Sequence, residues 1–541
     1  MMNEKRPNPP ITFKQIAGVA LWITLFFPGR FTQAQDICNA YPPPPAPGQW
    51  QSEYVNMSSS GTLTYKSDSE GNRIPDFSYA GYHYGEKSLP TVAVVSTIGP
   101  VKGDNTAHIQ KALDAIGARK PDASGHRGAL LLKPGTYEIQ GTIQIRHNGV
   151  VLRGSGQGTD PATSTILYAR GDVPHQRTVV TVGSGKGNPW TTGAAVNITD
   201  QFVQVGSLSF HVENPASFSV GQEVIIRHPS DQPWIEAVEG GGVSKDPRWE
   251  AGSKDLRWVR KVVKKEGTRL YLNAPVYNHL DRKLTQATVA PVIERSLVSE
   301  AGVENLRVDI ETAGGEDENH AWSAIGFVGA ENCWVQQASA RYFGYAGVRT
   351  AGAMRITVKH VTATDPVAIR TGGRMYNFSV DGFSQLILFT GCHATKGRHS
   401  FVSNGTTTVS GVVFHRCTME GGDFEAHRHW SQALLLDNLK DVSSANSQAK
   451  LINRGDMGSS HGWGAAHSVI WGFNKEIVVQ KPPTAQNYVV STEGTLRNKP
   501  FQPGPWGSIE VKKGKLVPES LYEAQLCERL RAAQPVGKAS K

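Results

Sequence analysis

The sequence predicts an all-β solenoid, a parallel β-helix whose coils return every 25 or so residues. Three observations carry that reading. The segments AGVENLRVDIE, AENCWVQQASA, AMRITVKHVTA, SQLILFTGCHA and SGVVFHRCTME, each starting 23 to 31 residues after the last, alternate apolar and polar positions and end in small or polar corners. Short strands broken by Gly, Asn and Asp turns continue almost to the C-terminus. Helical patterns are few. A coil of this kind turns one row of side chains inward and the alternate row outward, where a ligand can meet it.

Taken in order, residues 1–34 read as a secretory signal: Lys5, Arg6 and Lys14 form a basic start, Ile16 to Phe27 is apolar, and Thr32-Gln33-Ala34 offers small residues for cleavage. Pro28 and Gly29 interrupt the apolar run, which is too short to span a bilayer, and no later stretch is long enough to do so. The expected address is secreted or periplasmic. Residues 35–94 form an extension packed on the helix. Residues 95–196 hold the first coils and an N-terminal capping helix at DNTAHIQKALDAI, with Asp104 as N-cap and Ile109, Ala112, Leu113 and Ile116 on one face.

Residues 197–292 break the rhythm. FHVENPASFSVGQEVIIRH and LRWVRKVVKKEGTRLYLNAPV read as paired antiparallel strands of a small inserted subdomain, in which Trp234, Trp249 and Trp258 could stack on sugars or fill its core. The main coils run over 293–495. Residues 496–541 form a C-terminal cap, where Pro518 precedes a helix with Leu521, Ala524, Leu526 and Leu530 available for packing. Among five cysteines, Cys38 and Cys527 could tie the two ends together. Cys392 and Cys417 sit at matching points of neighbouring coils and read as buried thiols.

The formal charge is +9, and loss of Glu4, Lys5, Arg6, Lys14 and Arg30 with the signal leaves about +6. A basic surface attracts polyanions. With no Lys/Arg-rich arm interleaved with aromatics, nucleic acid is disfavoured and acidic polysaccharide is the expected partner, met by a monomer.

The series DNTAHIQKALDA, LLLKPGTYEI and VVLRGSGQGTDPATSTIL resembles the N-terminal part of the pectate-lyase-like superfamily of right-handed β-helix proteins, and the likeness extends over roughly residues 95 to 490. It implies a right-handed coil and a polysaccharide ligand. It does not imply one reaction, because that superfamily holds lyases, glycoside hydrolases, epimerases and phage depolymerases. The aspartate cluster that holds calcium in pectate lyases is not seen in this sequence, so no cofactor is expected and a calcium ion, though possible, has no clear motif behind it.

Chemistry-bearing residues concentrate in GRHSF, DFEAHRHW and NRGDMGSSHGW, which the coil repeat stacks on one side. β-Elimination from a uronic-acid chain needs a cation on the carboxylate, a base for the adjacent C–H and an acid for the leaving oxygen, roles that arginine and histidine fill. The candidate catalytic residues are His427 or His429 as base, Arg428 or Arg454 on the carboxylate, and His461 or His399 as second acid or positioning group. Arg398, Trp430, Trp463 and Glu425 are candidate substrate contacts, joined by His320 and Trp322 from GGEDENHAWSAIGF. Glu316 and Asp317 read as an exposed turn. A hydrolase would need two carboxylic groups, for which the cluster offers Asp423, Glu425 and Asp456. Their small number favours elimination, with hydrolysis second and a non-catalytic carbohydrate-binding protein third. The i, i+2 pair His427 and His429 lacks clear further metal ligands.

Overall fold

A computed structural model describes Cys38 and residues 46–240, 249–497 and 500–533 of the 541. The signal-like segment lies outside the described residues. Three parallel sheets of thirteen, eight and ten strands wrap one apolar core. Each main coil visits them in turn, as Trp334–Gln336, Ser339–Arg341 and Ala346–Ala351 do before Thr357–Lys359 starts the next. The architecture is a right-handed parallel β-helix, the hand that parallel crossovers take.

One residue makes the sharp corner between the first and second sheets. Asn305, Gln337, His360, Gly391, Arg416 and Asn438 each follow a first-sheet strand with φ between 47° and 61°. This left-handed conformation turns the chain within one residue, at a cost of about 1–2 kcal/mol wherever glycine is absent. The next residue points inward, so Leu306, Ala338, Val361, Cys392, Cys417 and Leu439 form a buried ladder. Cys392 and Cys417 are free thiols in that ladder, as their matching positions suggested.

The third sheet shows the strand period most plainly. Its inward row, in strict register, runs Ile325, Val348, Phe378, Phe401, Phe424, Ala449 and Ile477. The Phe378 and Phe401 rings stack 5.0 Å apart. One residue further along, the outward row runs Gly326, Arg349, Ser379, Val402, Glu425 and Lys450. Burying the first row fixes the register, and the register lines up the second.

At the N-terminal end the helix Thr106–Gly117 lays Ile109, Leu113 and Ile116 on the core. Its N-cap is Asn105, one residue later than expected, and Asp104 Oδ1 accepts from the Thr106 amide at 2.9 Å. The C-terminal helix Leu521–Ala532 starts on Asp437, whose carboxylate accepts from the Tyr522 amide and the Ser520 hydroxyl. A Cys38–Cys527 disulfide joins the two ends of the chain.

The inserted subdomain spans Trp190 to Arg295, slightly wider than 197–292, and is a seven-stranded antiparallel sheet. With the N-terminal extension and the C-terminal helix it covers the outer face of the first sheet, making a second core that includes Phe77, Trp258, Leu388, Leu435, Trp471 and Leu521. Trp234, Trp249 and Trp258 are buried, which removes them as sugar platforms. The outer face of the third sheet carries the polar cluster.

Candidate active site

Three third-sheet strands bring the cluster together: Tyr376–Val380, His399–Ser403 and Asp423–Ala426, followed by Gln448–Leu451. His399 stacks on Tyr376 with centroids 5.6 Å apart, and its Nδ1 bonds Asp423. Its Nε2 lies 2.6 Å from Arg398 Nη1. Because a guanidinium can only donate, that nitrogen accepts, which assigns His399 the neutral tautomer with its proton on the Asp423 side. Lys450 Nζ lies 2.6 Å from Asp423 and 2.7 Å from Glu425, and Arg454 Nε is 3.4 Å from Glu425.

The electrostatics follow from this packing. Burial works to raise the Asp423 carboxyl, but His399 and Lys450 outweigh it and hold it down at about 2. Burial opposes the charge on Lys450, and Glu425 and Asp423 raise its pKa nonetheless. Burial also holds His427 far below the usual imidazole range, reinforced by the Arg454 and Arg398 guanidiniums. His461 falls to about 4 through burial and then Arg454, Arg428 and Arg398. Both rings are neutral at neutral pH, in a field of excess positive charge.

His427 follows the strand Asp423–Ala426, and its Nδ1 bonds Asn404 Oδ1 at 2.9 Å. Its ring is 5.4 Å from His399 and 4.7 Å from His461. Beyond it the chain bends rather than continuing extended, since His429 and Trp430 both have φ of 56°. The bend corrects several expectations. His429 donates through Nε2 to the Ser460 carbonyl at 3.1 Å and meets Trp249 edge-on, so it ties the turn to the subdomain rather than facing Asp423. Trp430 is fully buried, donates to Asn278 Oδ1 at 2.9 Å and packs edge-on against Trp234. Trp463 is buried in the same core. Neither ring is a sugar platform, because both face the covered side of the coil.

Arg398 and Arg428 are half-buried at the surface, whereas Arg454 is buried and donates to the His427 carbonyl at 3.1 Å. His320 is not brought to the cluster: it is fully buried, with its ring nitrogens against the carbonyls of Ala321, Asp317 and Val367. Trp322 precedes a strand three coils away, about 14 Å along the sheet, and His175 lies over its ring at 3.9 Å. Glu316 is exposed, and Asp317 closes its own turn by accepting from Ala313 and Asn319. Asp456 is the N-cap of the short helix Met457–Ser460, outside the Lys450 ion-pair set.

Sequence reasoning missed Lys450 and Tyr376 as members of the site. The signal was spacing, since Lys450 follows its register partner Glu425 by one coil, as His399 follows Tyr376. An outer network, also missed, runs alongside: Tyr345 donates to Asp381 at 2.7 Å and accepts from Asn404 at 2.9 Å, and Asp381 holds Arg349 at 3.1 Å.

Among the described residues His399, Asp423 and Glu425 are the one group of three with metal-ligand atoms close together, within 4.8 Å. They do not fit a calcium ion. Lys450 Nζ lies against both carboxylates, and one imidazole with two carboxylates falls short of the six to eight oxygens calcium takes.

No family model matches the sequence, and no curated protein matches it. Solved structures align with it at low identity. A tailspike protein from Pseudomonas phage LKA1 is 13% identical with a TM-score of 0.41, over 76% of this chain and 70% of that one. A polygalacturonase from Erwinia carotovora ssp. carotovora is 10% identical with a TM-score of 0.37, over 79% and 98%. An alginate lyase from Paenibacillus sp. FPU-7 is 10% identical with a TM-score of 0.31, over 78% and 99%. At these scores the likeness bears on neither substrate nor chemistry.

Proposed function

We propose that the protein is an exported polysaccharide lyase that cleaves a uronate-containing chain by β-elimination, without an essential cofactor. The observation that carries this reading is the state of the carboxylates. Glu425 is 1% exposed and paired with Lys450 and Arg454, while Asp423 is shared between His399 and Lys450. Neither is free to act on a sugar as acid, base or nucleophile. That leaves the half-buried Arg398 and the neighbouring His399 imidazole, 8% exposed, for the chemistry.

Arg398 pairs with the uronate carboxylate and stabilises the negative charge that builds on it. When Arg398 turns to the substrate, the His399 Nε2 lone pair is released to take the C5 proton, and Asp423 stabilises the imidazolium that forms. The C5–H electrons form the C4–C5 double bond as the C4–O bond breaks. The protonated His399 then gives its proton to the departing oxygen. This moves the base from His427 or His429 to His399.

Incubation with a panel of acidic and neutral polysaccharides tests the reading. Ultraviolet absorbance of an unsaturated uronate together with new reducing ends supports elimination. Reducing ends without absorbance would mean hydrolysis, and binding with neither signal would sink both enzyme readings.

A further inference from the structure

We infer that the inserted subdomain is a working wall of this site and that Trp249 is a positioning residue for His461. The inference rests on the proposed reading for its consequence in turnover, but its geometry stands alone. Trp249 belongs to the subdomain, where its backbone amide donates to the Gly240 carbonyl at 3.0 Å and its ring stacks on Trp234 with centroids 6.3 Å apart. Its side chain leaves the subdomain. The indole N–H donates to the Ser460 carbonyl at 2.9 Å, 211 residues away in sequence.

Ser460 ends the short helix Met457–Ser460 with φ of 51°, a conformation that a serine keeps only when its surroundings hold it. The same carbonyl accepts from His429 Nε2 at 3.1 Å, and the His429 amide donates to the His461 carbonyl at 2.9 Å. The strained residue directly before His461 is therefore clamped by two side-chain donors, one from the coil turn and one from the subdomain. His461 is set at 4.7 Å from His427 and 6.0 Å from His429, with Arg454, Arg428 and Arg398 as the charged groups acting on it. Loss of the indole removes one of the two side-chain donors on the Ser460 carbonyl and lets the turn relax. His461 then gains water and loses its fixed place beside His427.

Trp249→Phe tests this, because it keeps the ring and removes the donor. Trp258→Phe is the control, a fully buried tryptophan of the same subdomain with no indole hydrogen bond. Histidine resonances of the full chain are followed by NMR against pH, with His461 assigned through His461→Gln, and kcat and KM are measured on the uronan that wild type degrades. The expected result is a His461 midpoint near 4 in wild type and Trp258→Phe, raised by at least about one pH unit in Trp249→Phe. His427, 4.7 Å from His461 and 5.4 Å from His399, carries the displacement to the base, so kcat of Trp249→Phe falls about tenfold with KM little changed. A His461 midpoint in Trp249→Phe equal to that of wild type, or raised equally by Trp258→Phe, overturns the inference. Wild type with no uronan activity would sink the lyase reading, and the titration would still decide the role of Trp249.

Discussion

Replacing Lys450 by methionine removes an ammonium that lies against both Asp423 and Glu425. Lys450 Nζ is 2.6 and 2.7 Å from the two carboxylates, with side-chain exposures of 13% for Lys450 and 1% for Glu425. Taking one partner from so buried a set leaves uncompensated charge, which costs about 3–5 kcal/mol. In a chain of this size that lowers the melting temperature by roughly 3–5 °C at neutral pH. Two facing carboxylates also raise the proton affinity of one of them, so the deficit should shrink as the pH is lowered. Adding Glu425→Gln to Lys450→Met should recover about half of the loss or more, because it removes the stranded charge. Calorimetry and denaturant titration of wild type, both single variants and the double variant at two pH values measure this directly. A cost for Lys450→Met below about 1 kcal/mol, or a double variant whose losses simply add, would refute the argument that Lys450 neutralises the floor of the site.

Three further outcomes are expected. His399→Ala should lower kcat by about 100- to 10,000-fold with the fold intact by circular dichroism, whereas His320→Gln should leave turnover within about twofold of wild type. Trp430→Ala should cost about 3–5 kcal/mol of stability in chemical denaturation, as expected for a core ring rather than a surface platform. Acid should destabilise the protein through its buried neutral histidines: His228 and His279 fall from 6.5 to about 4 through burial, and burial holds His467 well below its ordinary value. The unfolded chain binds more protons below pH 6.5, so between pH 6.5 and 4 each such histidine removes about 1.4 kcal/mol per pH unit. Thermal melts of wild type and His467→Phe across that range check the sign, because the variant should show the shallower acid limb.

The coil itself was legible in the sequence, because its information is local and repeated. A strand must alternate to bury one face, and the apolar run through Phe378, Phe401 and Phe424 recurs at the spacing that stacking requires. The same periodicity located the histidines and arginines of residues 398–461 on one side of the helix. It also marked the insertion, where the period changes and antiparallel pairing takes over.

Three matters waited for the tertiary structure. Whether Trp430 faces sugar or core turned on two residues with positive φ, which reverse the side on which its ring falls. Whether Glu425 could act as an acid turned on Lys450, one coil away, whose ammonium reaches it only when the register is set. The part played by Trp249 turned on a contact across 211 residues. Alternation and repeat length determine the β-helix, because each coil meets only its neighbours. The chemistry of a side chain depends on which charges and donors surround it, and here those come from other coils and from the inserted subdomain.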